Sequence, residues 1–131
     1  MNRRAFLGAT TAVGVALLSG CAAMESSTNE PDPDHPVEVD NNHNDTRTLS
    51  VTVTRESGEI VHDETHEVEP GAYREIYNLQ QAAPDGIESF TIEATMGDQQ
   101  TSVTIKSSSC YGGATIYITE AEVLRSTYSI C

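Results

Sequence analysis

The sequence predicts an all-β fold in which two antiparallel sheets pack face to face as a sandwich. Apolar and polar residues alternate with period two around Leu49, Val51 and Val53, and again over 89–96, as is typical of half-buried strands. Turn signals rich in glycine and proline separate such stretches, and no segment after residue 36 shows a helical period. With 37% hydrophobic residues and no tryptophan, one small core of aliphatic side chains is expected.

Eight strands account for this pattern. Four turns separate several of them: Ser57-Gly58, Pro70-Gly71, Pro84-Asp85-Gly86 and Gly97-Asp98. The predicted strands cover about 37–42, 49–54, 59–68, 72–79, 89–96, 100–106, 114–119 and 122–130. Strands with one polar and one apolar face bury the apolar face against a second sheet, so the domain is assigned to 37–131.

The N-terminus carries an export pattern. Arg3 and Arg4 precede Phe6 and Leu7, and an apolar run over 5–18 follows. This arrangement resembles a twin-arginine signal. The run of about 14 residues is shorter than the ~20 that a bilayer span needs, so 1–20 is predicted to be a cleaved signal peptide and no transmembrane span is expected in the mature chain.

Directly after the apolar run stands Leu18-Ser19-Gly20-Cys21. It resembles the lipobox of prokaryotic lipoproteins, where small residues admit a peptidase and the cysteine thiol accepts a lipid. The resemblance implies lipidation of Cys21, which becomes the first mature residue. Two hydrocarbon chains suffice for stable anchoring, so the expected location is the exterior face of the cell membrane.

The net charge argues against some classes of binding partner and indicates the kind of organism the protein comes from. The formal net charge is −13, and removal of 1–20 takes away two arginines and no acid, which leaves −15. Such a surface repels nucleic acid, so no nucleic-acid partner is expected. A single lysine among many acids suits a protein in molar salt, where the Debye length is about 3 Å, and a halophilic archaeon is the expected source.

Residues 21–36 are acidic and contain three prolines, which predicts a disordered tether.

The strand region also carries a resemblance. The segment from Asn42 to Thr48 leads into LSVTVTR, and Gly58-Glu59-Ile60-Val61 and Val68-Glu69-Pro70-Gly71 follow. The progression resembles small haloarchaeal surface lipoproteins with an immunoglobulin-like β-sandwich and, more loosely, CARDB-type adhesion-related sandwiches. The resemblance covers about 37–106, roughly half of the chain. It implies a non-enzymatic cell-surface module and carries no catalytic residues with it.

Two cysteines remain after lipidation, and outside the cell they are expected to pair. A hairpin turning at Glu120-Ala121 sets Ile118 opposite Val123 and Cys110 opposite Cys131. The alternation makes the cysteines a non-hydrogen-bonded pair, whose side chains approach closely. Gly112-Gly113 favours a bulge within this hairpin.

Three sets of residues carry side chains of the kinds that bind metals. His43, Met96 and Cys110 suggest a copper site, but no histidine or methionine follows Cys110 as it does in cupredoxins. His62 and His66 lie four apart on a strand, about 13 Å from one another, which is too far to share a metal. The loop 40–45, with Asp40 and Asp45 at its ends, offers oxygen ligands for calcium but equally suits a turn. No cofactor is therefore predicted.

The same loop contains Asn44-Asp45-Thr46, an N-glycosylation sequon. No hydrolase motif is present, and Ser107, Ser108 and Ser109 are expected to form an exposed loop. Asp63 and Glu64 fall on opposite faces of a strand and so cannot flank one substrate bond. Enzymatic activity is therefore not expected.

Two functions follow from the sequence. The first is a lipid-anchored, non-catalytic structural or interaction module that contacts other envelope proteins. The alternative is a small ligand-binding or metal-binding lipoprotein, for calcium or copper, that serves a transporter or a redox chain.

Overall fold

The structure is a computed structural model, and it describes residues 29–131. The predicted all-β sandwich is confirmed: eight strands form two four-stranded sheets. The strands are β1 (Pro36–Asn41), β2 (Arg47–Arg55), β3 (Ile60–Val68), β4 (Tyr73–Asn78), β5 (Ser89–Met96), β6 (Gln99–Lys106), β7 (Tyr111–Ile118) and β8 (Leu124–Ile130). A 3-10 turn, Leu79–Ala82, follows β4. The sequence did not predict this turn, because four residues are too few to show a helical period.

One sheet has the strand order β4-β1-β7-β8 and the other β3-β2-β5-β6. In the immunoglobulin arrangement the second and third strands lie in different sheets, whereas β2 and β3 pair here in one hairpin. All pairs are antiparallel except β1 and β7, which run parallel. Period-two alternation specifies which face of a strand is buried and leaves its neighbour and direction open, so these pairings come from the structure.

The core lies between the sheets and contains the predicted alternating positions. Leu49, Val51 and Val53 of β2 and Val37 and Val39 of β1, in the other sheet, belong to the same core cluster, and all five are buried. The other core side chains are Val68, Tyr77, Leu79, Phe90, Ile92, Ala94, Met96, Ile105, Ala114, Ile116, Ile118 and Leu124. Each of these residues removes apolar area from water, which is the main favourable contribution to folding.

The strand directions give the sandwich two ends. The loops between β1 and β2, β3 and β4, β5 and β6, and β7 and β8 form one end, here called the loop end. The remaining connections lie at the opposite end, where the described chain enters at Pro31 and finishes at Cys131. That end is called the tether end.

The segment 31–36, through which the chain enters the sandwich, is packed against it rather than disordered as predicted for the tether. Residues 31–36 were expected to be disordered, yet Pro31 bridges Ser108 and the Asp32 N–H donates to the Ser107 carbonyl at 2.9 Å. His35 is 1% exposed, and its backbone N–H lies 3.1 Å from the Asn78 side-chain oxygen. Composition suggested disorder, but backbone hydrogen bonds to β6–β7 and burial of His35 hold this segment on the sandwich. The rest of the predicted tether, 21–28, lies outside the described residues.

The β7–β8 hairpin differs from its predicted register. Ile118 pairs with Leu124 rather than Val123, because the connection spans 119–123 and Glu122 takes a positive φ of 65°. The predicted bulge is present between Tyr111 and Ala114. A Cβ atom at Gly113 would overlap the carbonyl oxygen of Pro36, so glycine allows β1 to approach the bulge closely.

Candidate functional site

The predicted export and anchoring residues, Arg3, Arg4, Phe6, Leu7 and Cys21, lie outside the described residues. Nothing in the geometry of the sandwich therefore bears on them. Within residues 29–131 the structure has no helix long and apolar enough to cross a membrane. The predicted residues that can be located lie at the two ends of the sandwich and along the edge strand β3.

Cys110 and Cys131 form the predicted disulfide, with Cα atoms 4.9 Å apart. The predicted pair type is wrong, because the Cys131 N–H donates to the Cys110 carbonyl at 2.7 Å. The longer turn moves the register by one residue, and the bulge at Gly112 and Gly113 restores it before the cysteines. The cysteines therefore face each other as predicted, but as a hydrogen-bonded pair.

The loop after β1 is a polar cluster at the loop end. The His43 Nδ1 lies 3.1 Å from the Glu120 carbonyl, and the Arg47 guanidinium lies 3.0 Å from His43 Nε2. A guanidinium only donates, so His43 Nε2 accepts and Nδ1–H donates to Glu120. Arg47 also donates a short hydrogen bond to Glu122, which holds the pKa of that carboxyl below its usual range.

Asn41 at the end of β1 holds this loop in place, a role that no pattern in the sequence predicts. The residue is fully buried, and its side-chain amide donates to the carbonyls of Asp45 and Val68, both at 2.9 Å. Its side-chain oxygen accepts from the His43 N–H at 2.9 Å. Asn41 thus connects the two sheets. Its side chain supports the turn interpretation of loop 40–45, because an Asn side-chain oxygen that accepts from the N–H two residues on is an Asx turn.

The exposed position of Asn44 fits a modification site. Asn44 lies in a bend at the loop end, and Asp45 and Thr46, which complete the sequon, are exposed as well. An oligosaccharyltransferase needs such an accessible acceptor, so glycosylation at Asn44 stays a prediction that the local geometry permits.

At the tether end, Arg55 of β2 forms a bidentate pair with Glu88. Nε lies 3.1 Å and Nη2 2.7 Å from the two carboxylate oxygens. The hydrogen bond with Glu88 raises the pKa of Arg55, and the same bond lowers the pKa of Glu88. Arg55 also donates to the Ala82 carbonyl at 3.2 Å and lies over the Phe90 ring. The guanidinium therefore joins β2 to the long connection between β4 and β5.

The copper and hydrolase constellations are not assembled. Cys110 is in a disulfide, Met96 is buried in the core, and the His43 lone pair accepts from Arg47. The prediction of an exposed serine loop is wrong for Ser107 and Ser108, which are 0% and 2% exposed. Ser107 Oγ donates to the Gly86 carbonyl and accepts from the Glu88 N–H, both at 2.9 Å. Its hydroxyl therefore fixes the loop before β5.

The largest correction concerns His62 and His66 on β3. Their Nε2 atoms lie 3.1 Å apart and their rings are nearly parallel, at 8°. The predicted separation of about 13 Å describes Cα atoms on a strand, whereas side chains lean along the strand direction and these two imidazoles lean toward each other. The conclusion that they lie too far apart to share a metal is wrong.

Glu64 lies between the two histidines on the same face of β3. One ligand atom from each of the three side chains can be chosen so that all lie within 4.8 Å of one another, and among residues 29–131 no other group of three or more His, Cys, Asp or Glu does so. The sequence signal was available: in His62-Asp63-Glu64-Thr65-His66 the first, third and fifth residues share a face. We call this set the β3 triad.

The surroundings of the β3 triad differ along the strand. The His62 side chain is 5% exposed and packs on the Tyr77 ring, at 4.9 Å between centroids, while the Glu64 side chain is 67% exposed. Burial raises the pKa of Tyr77. Burial, followed by repulsion from His62, lowers the pKa of His66. The triad therefore has a buried inner end and a solvent-exposed carboxylate.

Comparison with known proteins found no match among protein-family models, curated proteins or solved structures. The resemblance to haloarchaeal lipoproteins and CARDB-type sandwiches stays a prediction from the sequence.

Proposed function

We propose that the chain is a lipid-anchored, non-catalytic module that presents its β-sandwich on the outer face of the cytoplasmic membrane. The twin-arginine pattern and the lipobox at Cys21 support export and anchoring. The Cys110–Cys131 disulfide supports an oxidising location. The module contacts other envelope proteins through the loop end.

The observation that carries this proposal is the place where the chain enters the sandwich. The segment 31–36 is hydrogen-bonded at the tether end, through Asp32 and Ser107. The ten Cα–Cα steps from Cys21 to Pro31 span at most about 36 Å, so the packed segment shortens the tether and determines which end of the sandwich it joins. The loop end lies at the opposite end of the strands, directed away from the point of entry.

The chemistry of the loop end suits contact with polar partners. Asn44, Asp45 and Thr46 are exposed there, beside the cluster of His43, Arg47 and Glu122. Glycosylation at Asn44 would place a glycan on this end. A rim of charged and amide groups offers hydrogen bonds and salt-dependent ion pairs to a partner.

A non-catalytic role is supported by what the candidate reactive groups do. Cys110 is oxidised, the Ser107 hydroxyl is bonded to backbone groups, and the His43 lone pair accepts from Arg47. The same bonds weigh against the alternative of a copper site at His43, Met96 and Cys110. Each group stabilises the sandwich rather than facing a substrate.

The anchoring step is tested with Cys21→Ser in the native host, by membrane fractionation and protease shaving of intact cells. The serine variant is expected to stay uncleaved or to be released, since serine cannot take a thioether-linked lipid. Asn42→Ala is the control, because Asn42 is exposed on the sandwich and the change leaves both the lipobox and the disulfide intact. A processed Cys21→Ser protein that stays on the membrane would refute the anchor.

In the same assay, replacing Arg3 and Arg4 with lysine is expected to block export.

A further inference from the structure

We propose that the β3 triad of His62, Glu64 and His66 binds one divalent transition-metal ion of the Zn²⁺ or Cu²⁺ class. The inference does not depend on anchoring or on the loop end. It rests on the positions of three side chains on one edge strand and on what their donor atoms prefer to bind.

The distance between the imidazoles fits a metal that both would share. Zinc–imidazole bonds are about 2.0–2.1 Å long. At the observed Nε2–Nε2 separation of 3.1 Å, two such bonds enclose an angle of about 100°, near the tetrahedral value. The metal would lie to one side of the line between the nitrogens, and rotation of the two rings about their side-chain bonds would direct both lone pairs toward it.

Glu64 supplies the third donor. A Glu64 oxygen lies 3.9 Å from His62 Nδ1, and the exposed side chain is free to rotate because solvent surrounds it. The carboxylate either coordinates the ion directly or accepts a hydrogen bond from the His62 Nδ1–H, as second-sphere carboxylates do in zinc sites. In both arrangements its negative charge lies beside the cation.

The donor set also restricts the choice of metal. Two imidazoles and one carboxylate favour zinc and copper(II) over calcium and magnesium, which prefer all-oxygen sites. The contact with Tyr77 fixes the His62 ring on its buried side, so one ligand is held in place before the ion binds. Three protein ligands leave at least one coordination position for water or for a group from a partner.

If the β3 triad has only a structural role, a different result is expected from metal titration. Inward-facing polar residues on an edge strand discourage strand pairing with other molecules, and an Nε2–H···Nε2 hydrogen bond would satisfy both rings with no ion. Under that interpretation no metal saturates the triad, and Glu64 contributes nothing to any metal affinity.

The test is a metal titration of the full chain, purified without an affinity tag, in mild detergent and with its disulfide intact. Cys21→Ser is used as the background, so that no free thiol competes for the ion. Isothermal titration calorimetry with Cu²⁺, Zn²⁺ and Ca²⁺, together with native mass spectrometry, gives affinity and stoichiometry. We expect one Cu²⁺ or Zn²⁺ per chain, with copper bound more tightly, and no saturable binding of Ca²⁺.

Variants assign the ion to the triad. His66→Ala is expected to abolish the stoichiometric binding, and Glu64→Gln to weaken it by about 10–100-fold. The matched controls are His43→Ala at the loop end and Glu67→Gln on the opposite face of β3, and both are expected to bind like the background. His66→Ala and Glu64→Gln avoid the most buried ligand, so the test does not depend on a His62 variant that fails to fold.

Thermal unfolding supplies a second readout. An ion that binds the folded chain raises the melting temperature in proportion to the logarithm of its concentration, and His66→Ala should remove that rise. If the background protein shows no saturable Cu²⁺ or Zn²⁺ binding, or if His66→Ala binds as the background does, the proposed site is refuted.

Discussion

The two ends of the sandwich are closed by different chemistry. At the tether end, a disulfide joins Cys110 to Cys131, and the Arg55–Glu88 pair ties β2 to the segment before β5. At the loop end, the neutral amide of Asn41 makes three buried or half-buried hydrogen bonds. The charges of the loop end, including Glu122, are more exposed than Glu88, whose side chain is 14% exposed.

Because the two ends are held by different interactions, reduction, acid and high salt weaken them to different extents. Reduction acts on the tether end through the disulfide. Acid acts there through Glu88, and it acts on the loop end through Glu122, whose more exposed ion pair contributes less. High salt acts mainly on the loop end, because screening is strongest for solvent-exposed ion pairs. Asn41 responds to none of the three, because a neutral buried amide neither titrates nor is screened. Reduction and high salt therefore each weaken mainly one end.

The largest effect is expected from opening the tether end covalently, with Cys110→Ser/Cys131→Ser. The disulfide closes a loop with a sequence separation of 21, which corresponds to about 3 kcal/mol in the chain-entropy description. For a domain of about 100 residues the melting temperature should fall by about 12–24 °C. Thermal unfolding measures the fall, and titration of the denatured wild type should detect no free thiol at either cysteine. An unchanged melting curve would contradict the prediction.

At the loop end, Asn41→Ala should have the next largest effect. The substitution leaves the buried carbonyl of Val68 without its donor and frees the His43 N–H, and an unsatisfied buried group costs about 1–3 kcal/mol. Chemical denaturation measures the free energy of unfolding. Asn42→Ala is the control, since Asn42 is exposed. Equal losses in the two variants would mean that Asn41 does not hold the loop end together.

Acid should distinguish the ends through Glu88. Its pKa is lowered in the folded state, chiefly by the Arg55 hydrogen bond, so the pair stabilises the fold above the unfolded carboxyl pKa of about 4.5 and loses that contribution as pH falls through the lowered value. The free energy of unfolding of the wild type should therefore decline more steeply below about pH 5 than that of Glu88→Gln. Glu59→Gln, at an exposed partner of Arg55, should keep the wild-type slope. Parallel pH profiles for wild type and Glu88→Gln would refute this role.

The smallest effect is expected at the exposed pair of Arg47 and Glu122. Exposed ion pairs contribute little, and a Debye length of about 3 Å at 1 M salt suppresses that contribution further. Glu122→Gln should lower the melting temperature slightly in dilute buffer and not at all in molar salt. A difference that persists in molar salt would show that the pair contributes through geometry rather than charge.

Local patterning predicted the strands but not their neighbours. The alternation around Leu49 and over 89–96 located β2 and β5, because a half-buried strand must alternate. The parallel pairing of β1 with β7 carries no such signal, since either direction buries the same face. The β7–β8 register was predicted one residue off near its turn, where the positive φ of Glu122 lengthens the connection.

Some of the candidate sites were likewise predicted from the sequence, and others are revealed only by the structure. Cys110 and Cys131 were paired correctly because the compartment and the cysteine count leave one partner for each. A metal shared by His62 and His66 was rejected because the distance between Cα atoms does not report where the side chains lean, and Glu64 was not considered with them. Ser107 was predicted in an exposed loop, and Asn41 where a predicted strand meets the loop 40–45. Only packing against other segments shows that their polar groups are buried and paired.

By itself the sequence determined the all-β class, the faces that are buried, the pairing of the two cysteines and the expectation of a lipid-anchored exterior location. These features follow from local periodicity, composition and short motifs, which act over a few neighbouring residues. Tertiary structure decided the strand order, the packing of 31–36, the two differently closed ends and the approach of His62 to His66. Those features depend on contacts between segments far apart in sequence and on side-chain rotamers, which become fixed only when the two sheets pack.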